Sequence, residues 1–251
     1  MIDTHAHLLC FEDLNNVINS MEQDGLEKIV TIGTTLEDSK QSINLASKYK
    51  NVYCSVGIYP EYAEGITEKD LNELEDLAYN KKVVAIGEIG LDYHNGDSDK
   101  EIQKQVFVKQ LEIADRLGIP FCIHCRSAAD DVINVLKENK HLIKHSGVMH
   151  CYSEGAKYIK EFLNLGLYIS FSGNITFKKS DRSFLKDIPL DKILIETDAP
   201  YLSPEPLRGR RNYPKNVLLT AKRIAQELNI SFEEFDKITT KNAKNLYFKM
   251  R

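Results

Sequence analysis

Two patterns of apolar residues alternate along this chain. Short, nearly unbroken apolar runs occur at 2–7, 28–32, 52–58, 83–88, 121–124, 147–150, 168–171 and 192–196. Between them lie longer stretches in which apolar residues return every three or four positions, the spacing of one helix face. The first, 11–24, places Leu14, Val17, Ile18 and Met21 on such a face. Others follow at 38–49, 67–79, 100–117, 128–140 and 156–165, with a short one at 183–188 and two more at 214–228 and 231–247. End signals agree with these bounds. Thr67-Glu68-Lys69-Asp70 has the form of a capping box with Asp in the Glu place, and Gly118 and Gly166 sit where helices close. Strands apolar at every position are buried on both faces, which is the habit of parallel sheets covered by helices. Eight strands, each followed by helical pattern, predict a single (β/α)8 TIM barrel over 1–251. The irregular stretches 59–66, 89–99, 172–182 and 197–213 all follow strands. In a barrel those loops share one rim, where active sites are built.

Composition narrows the class. With 42% hydrophobic and 28% charged residues, the chain has the make-up of a globular domain with a real core, and no apolar run reaches the length of a membrane span. No basic segment leading into an apolar one opens the sequence, so a cytoplasmic location is expected. Five cysteines, an odd number, argue against a disulfide framework. Cys122 and Cys125 have a redox-like spacing, but three residues apart on a strand they face opposite sides, and they are read as packing residues. A net charge of −4 weighs against adhesion to nucleic acid by overall charge and leaves room for a local basic patch.

Candidate chemistry gathers at the strand ends. In Asp3-Thr4-His5-Ala6-His7 the two histidines are two apart on an extended segment and aim at one point. Glu88 ends the fourth run, His124 the fifth and His150 the sixth, and Asp198 follows the eighth in Glu196-Thr197-Asp198-Ala199-Pro200. A barrel brings all six to one rim. Four imidazoles and two carboxylates form a mixed nitrogen and oxygen set suited to Zn or Mn, and to Mg less naturally. Six ligands exceed one tetrahedral site, so two divalent metal ions sharing a bridging carboxylate are expected. His141 and His145 lie near a polar helix end and are read as solvated, while His94, in the loop after the fourth run, is near enough to meet a substrate.

The motifs Asp3-Thr4-His5-Ala6-His7-Leu8, Gly87-Glu88-Ile89-Gly90-Leu91-Asp92-Tyr93, Met149-His150-Cys151-Tyr152-Ser153 and Glu196-Thr197-Asp198-Ala199-Pro200-Tyr201-Leu202, with the tail Arg208-Gly209-Arg210-Arg211-Asn212, occur in this order. Together they resemble the TatD family of metal-dependent deoxyribonucleases in the amidohydrolase superfamily. The resemblance implies a distorted TIM barrel of the metallo-dependent hydrolase type, with DNA as substrate and cleavage from chain ends. Four positions depart from it. Tyr59-Pro60 stands where the family usually has His-Pro, and Leu207 where it often has His. His124-Cys125-Arg126-Ser127 lacks the usual acid, and the loop after Asp92-Tyr93 lacks the usual Arg-Asp. None of these is one of the six ligands.

Roles follow from the chemistry of the groups. His5, His7 and Asp198 are assigned to one metal, His124 and His150 to the other, and Glu88 to the bridge. Asp198, a carboxylate beside the attacking water, is the candidate general base. Arg126, Arg208 and Arg210, with Arg211, are candidates for phosphate, which a guanidinium grips with two parallel hydrogen bonds. Three classes are carried forward: a DNA phosphodiesterase, an amidohydrolase acting on a cyclic amide, lactone or other small ester, and a binding protein on a retained barrel. Glu88 at the bridge, where many binuclear amidohydrolases use a carbamylated lysine, favours the first. No protein partner is expected.

Overall fold

Each apolar run becomes a strand of one parallel sheet in the computed structural model, which describes residues 1–94 and 98–251. The strands are β1 Ile2–Ala6, β2 Lys28–Ile32, β3 Val52–Val56, β4 Val83–Asp92, β5 Phe121–Arg126, β6 Gly147–Met149, β7 Tyr168–Phe171 and β8 Ile193–Ile195. They pair in sequence order, β1 through β8. The helices are α1 Leu14–Asn19, α2 Leu36–Lys48, α3 Glu68–Ala78, α4 Lys100–Leu117, α5 Ala129–Glu138, α6 Ala156–Asn164, α7 Val217–Leu228 and α8 Phe232–Leu246. The architecture is the expected (β/α)8 barrel.

Its last seam is closed by the segment after β8. Ala6 pairs with Ala199 in an isolated parallel bridge. The His7 N–H donates to the Ala199 carbonyl at 2.7 Å, and the Asp198 N–H to the His5 carbonyl at 2.9 Å. Lower in the seam, Thr4 Oγ1 donates to the Ile195 carbonyl at 2.9 Å. Barrel closure therefore sets Asp198 beside the two histidines of the N-terminal strand.

An inner cluster contains Ile2, Val30, Val84, Cys122, Val148 and Leu194, together with Leu246, Tyr247 and Met250 from the C-terminal end. A larger cluster joins the strands to the surrounding helices. Each fully buried apolar side chain of this kind contributes about 1.5–3 kcal/mol. Cys122 belongs to the inner cluster and Cys125 packs against the outer one, as the three-residue spacing predicted. All five cysteines are free thiols.

Three expectations need correction. The helix expected over 11–24 is only the six residues of α1. Asn15, Asn16, Asn19 and Ser20 are residues whose side chains compete for backbone groups, and the one Ser20 hydroxyl proton is shared between the Val17 carbonyl at 3.1 Å and Asp24 Oδ2 at 2.6 Å. The expected helix over 183–188 is a 3-10 turn, Ser183–Asp187. Pro189 holds the residue before it extended, with Ile188 at φ −92° and ψ 124°. The connection from β7 to β8 thus lacks the helix of an ideal unit, and this is where the barrel departs from regularity. The strand expected over 83–88 continues to Asp92, so Glu88 lies inside β4 rather than at its end. The ladder to β5 shifts register between Ile86 and Ile89, on either side of it.

Gly90 makes that continuation possible. It sits at φ +129°, and a Cβ there would fall 2.1 Å from the His124 carbonyl oxygen. Gly90→Ala is expected to cost about 1–3 kcal/mol in denaturant unfolding, since both the dihedral and the contact are closed to a side chain. An unchanged unfolding midpoint would contradict this close approach of β4 to β5.

Candidate metal centre

Six side chains meet at the C-terminal rim of the barrel. β1 supplies His5, with His7 just beyond it; β4 supplies Glu88 and β5 supplies His124; His150 follows β6 and Asp198 follows β8. Glu88 is central. Its Oε1 lies 2.8 Å from His124 Nδ1 and 2.8 Å from His150 Nε2, and its Oε2 lies 3.5 Å from His5 Nε2. Asp198 Oδ1 lies 3.3 Å from His7 Nε2 and 3.7 Å from His5 Nε2. The rings of His5 and His150 stack in parallel at 3.9 Å.

Three residues at these strand ends carry a left-handed backbone, Ser127 at φ 56°, Cys151 at φ 47° and Asp198 at φ 55°. Such conformations in residues other than glycine store strain and persist where surrounding contacts enforce them. At Cys151 the N–H donates to Glu196 Oε1 at 2.7 Å. The same Glu196 oxygen lies 3.2 Å from His150 Nδ1, which orients that ring.

The electrostatics are those of a site that attracts positive charge. Burial alone would push the Glu88 carboxyl up, but the charge of His150 and hydrogen bonds with His124 and His150 hold it well below the usual range. Burial likewise disfavours charge on His150, yet Glu88 and Glu196 raise it well above the ordinary imidazole value. His124 is raised against its burial by Asp92 and Glu88, and His7 against its burial by Asp198. His5 alone of the four histidines is lowered, by burial and by the charge on His150. Asp198, despite burial, is held down by His7 and His5.

The donor set fits divalent cations. His5 Nε2 is buried and has no hydrogen-bond partner among the described residues, although it faces carboxylates of both Glu88 and Asp198. A buried nitrogen left so is costly, and a cation between the donors would satisfy it. Among the described residues, three sets have ligand atoms mutually within 4.8 Å: His5 with His150 and Asp198, His5 with His7 and Glu88, and Glu88 with His124 and His150. Glu88 belongs to two of them.

The arginines singled out from the sequence are not drawn into this cluster. Arg126, Arg208 and Arg210 are exposed. Arg208 stacks over the Phe177 ring at 4.2 Å, and Arg211 over Phe11 at 4.9 Å. His141 and His145 are exposed, outside the site, as expected. His94 is also exposed, and its N–H donates to Asp92 Oδ1 at 2.8 Å. Residues 95–97 of the loop expected over 89–99 lie outside the described residues.

Sequence reasoning missed Asp3, Asp92 and Glu196 as parts of the site. Asp3 Oδ2 accepts from the Thr197 hydroxyl at 2.6 Å and Oδ1 from the Thr197 N–H at 2.9 Å, tying β1 to the segment that carries Asp198. Asp92 Oδ2 lies 2.9 Å from His124 Nε2. A signal was present: Asp3 is two residues from His5, and Glu196 two from Asp198. Asp92 is four from Glu88, on the same strand once β4 is given its full length. Tyr59, one of the departures from the family pattern, also enters the site, its hydroxyl 2.7 Å from Asp92 Oδ2.

Residues 2–248 match the family model described as TatD related DNase. This chain belongs to the TatD family. The Bacillus subtilis protein named uncharacterized metal-dependent hydrolase YabD is 40% identical over 252 residues, covering 98% of either chain. Two solved TatD-family structures share the fold across nearly the whole length. The TatD homologue YjjV from Escherichia coli is 27% identical, with TM-score 0.92, over 99% of this chain and 98% of its own. The TatD family hydrolase from Entamoeba histolytica is 28% identical, with TM-score 0.90, over the same shares. The chain is accordingly a metal-dependent hydrolase of that family. Among the described residues of this TatD-family protein, no helix is long and apolar enough to cross a membrane.

Proposed function

We propose that this protein is a divalent-metal-dependent deoxyribonuclease that cleaves phosphodiester bonds of DNA, working from chain ends. The observation that carries the reading is Glu88, whose Oε1 is 2.8 Å from two imidazole nitrogens while its Oε2 faces the unpartnered His5 Nε2. In this proposal His5, His7 and Asp198 hold one ion, His124 and His150 the other, and Glu88 serves both. The ions would be Zn, Mn or Mg, and their contribution when bound is to acidify water and neutralise charge on a phosphoryl group. The family description, TatD related DNase, supports the nucleic-acid substrate.

The chain's own groups have distinct tasks. Asp198, only partly buried at the rim, accepts the proton of the attacking water. His7, 3.3 Å from Asp198 Oδ1, holds that carboxylate in place. Glu196 orients His150 through Nδ1. Arg126, Arg208 and Arg210, exposed around the rim, bind backbone phosphates.

The test is turnover of an end-labelled oligonucleotide beside a panel of cyclic amides and lactones. Chelation is expected to abolish nucleotide release, and added Mn²⁺ or Mg²⁺ to restore it. Undiminished cleavage by thoroughly demetallated protein would refute the mechanism. Turnover of an amide or lactone in place of DNA would move the reading to the amidohydrolase class.

Acidity gives a further check. His7, His124 and His150 are all raised above the ordinary imidazole value, so in chelator-treated protein they retain protons at higher pH than a free histidine. A cation must displace those protons to reach the lone pairs. Metal binding at neutral pH should therefore release protons, and affinity should fall as pH is lowered. Calorimetric titration in two buffers of different ionisation enthalpy measures the release. Equal heats in both would contradict it.

A further inference from the structure

Asp92 and Tyr59 surround His124 without a part in the roles above. Asp92 is buried at the end of β4, and Gln103 of α4 grips its backbone: Oε1 accepts from the Asp92 N–H at 2.9 Å, and Nε2 donates to the Asp92 carbonyl at 3.0 Å. The carboxylate faces three partners. The His94 N–H donates to Oδ1 at 2.8 Å, the Tyr59 hydroxyl donates to Oδ2 at 2.7 Å, and His124 Nε2 lies 2.9 Å from that same Oδ2. The Tyr59 ring meets the His124 ring edge to face at 4.7 Å, with its hydroxyl oxygen 3.1 Å from Nε2.

Hydrogen-bond logic then assigns the protons. A carboxylate only accepts, and a phenol has one proton to give. With the Tyr59 proton directed to Asp92, both groups beside His124 Nε2 present oxygen lone pairs, so that nitrogen carries the hydrogen. Nδ1 is thereby left to face Glu88 Oε1 at 2.8 Å and His150 Nε2 at 3.3 Å. We infer that Asp92, steadied by Tyr59, is a positioning residue that fixes His124 as a metal donor through Nδ1. This rests on the metal reading above, and it gives the tyrosine that replaces the family's usual histidine a task of its own.

The inference makes a prediction that a purely structural role would reverse. In Asp92→Asn the amide oxygen keeps the His94 N–H, and the NH₂ then takes the place of Oδ2 and donates to His124 Nε2. The hydrogen moves to Nδ1 and blocks it. In Asp92→Ala that bias disappears, and the Tyr59 hydroxyl, able to accept or donate, lets a cation choose the tautomer. Asparagine should therefore be more harmful than alanine, whereas loss of packing would make alanine the worse.

The experiment titrates Mn²⁺ into demetallated wild type, Asp92→Asn, Asp92→Ala and Tyr59→Phe, reading stoichiometry and affinity by calorimetry and the spin-coupled pair by paramagnetic resonance. Asp92→Asn is expected to weaken one of two sites about 10- to 100-fold and to replace the coupled spectrum by that of an isolated ion. Asp92→Ala should lie between it and wild type. Tyr59→Phe should weaken the same site about two- to tenfold, because Asp92 keeps its bond to His124 and loses only the contact that steadies it. Wild-type affinity in Asp92→Asn, or alanine as harmful as asparagine, overturns the inference while the metal reading stands. Failure of wild type to take up Mn²⁺ overturns both. Should alanine prevent folding, Asp92→Ser, too short to reach His124, takes its place.

Discussion

Asp198→Asn is expected to lose turnover by about a hundred- to ten-thousandfold while keeping much of its metal and its oligonucleotide affinity. The carboxylate lies 3.3 Å from His7 Nε2 and 3.7 Å from His5 Nε2, and asparagine can still offer an oxygen there. An amide oxygen is neutral and a very poor proton acceptor, so only the base function is removed. The backbone favours this substitution. Asp198 sits at φ 55°, a left-handed conformation that asparagine adopts more readily than most residues. Its N–H bond to the His5 carbonyl, which closes the barrel seam, does not involve the side chain. Metal content and oligonucleotide affinity on one side, and single-turnover cleavage on the other, separate the two functions. Cleavage near the wild-type rate would mean that the proton goes elsewhere.

Glu88→Ala should have the broader effect, emptying both metal positions where His124→Ala mainly empties one. Glu88 faces three imidazoles, from β1, β5 and the residue after β6, and among the described residues it alone of the carboxylates contacts both His124 and His150. Its loss also leaves the raised His150 beside Glu196 as its remaining carboxylate partner. Removing one partner of a buried ion pair commonly costs about 3–5 kcal/mol, so the demetallated variant should unfold at lower denaturant than wild type. Elemental analysis and a denaturant titration read the two effects separately. Full occupancy of both positions in Glu88→Ala would remove Glu88 from the bridge.

Periodicity along the chain was enough to determine eight parallel strands and their order, because a strand buried on both faces is apolar at every position while a covering helix is apolar on one. It also gave all six candidate ligands, since the C-terminal ends of barrel strands meet on one rim whatever the loops between them do. Local competition was harder to read. Ser20 binding back to the Val17 carbonyl ends α1 early, and Pro189 keeps the stretch before β8 from forming a helix. Propensity summed over a window does not resolve single side-chain contacts of this kind.

Only the tertiary structure decided what stands behind the ligands. Asp92 reaches His124 because β4 continues past Glu88, and it can do so because Gly90 admits the His124 carbonyl where a side chain would collide. Asp3 meets Thr197 across 194 residues of sequence, through a seam that exists only in the closed barrel. Tyr59 was visible as a departure from the family pattern, yet its hydrogen bond to Asp92 depends on where the loop after β3 lies over β5. A side chain's type and spacing state which bonds it can make; which partner receives them is set by distances between strands, and those are fixed by packing.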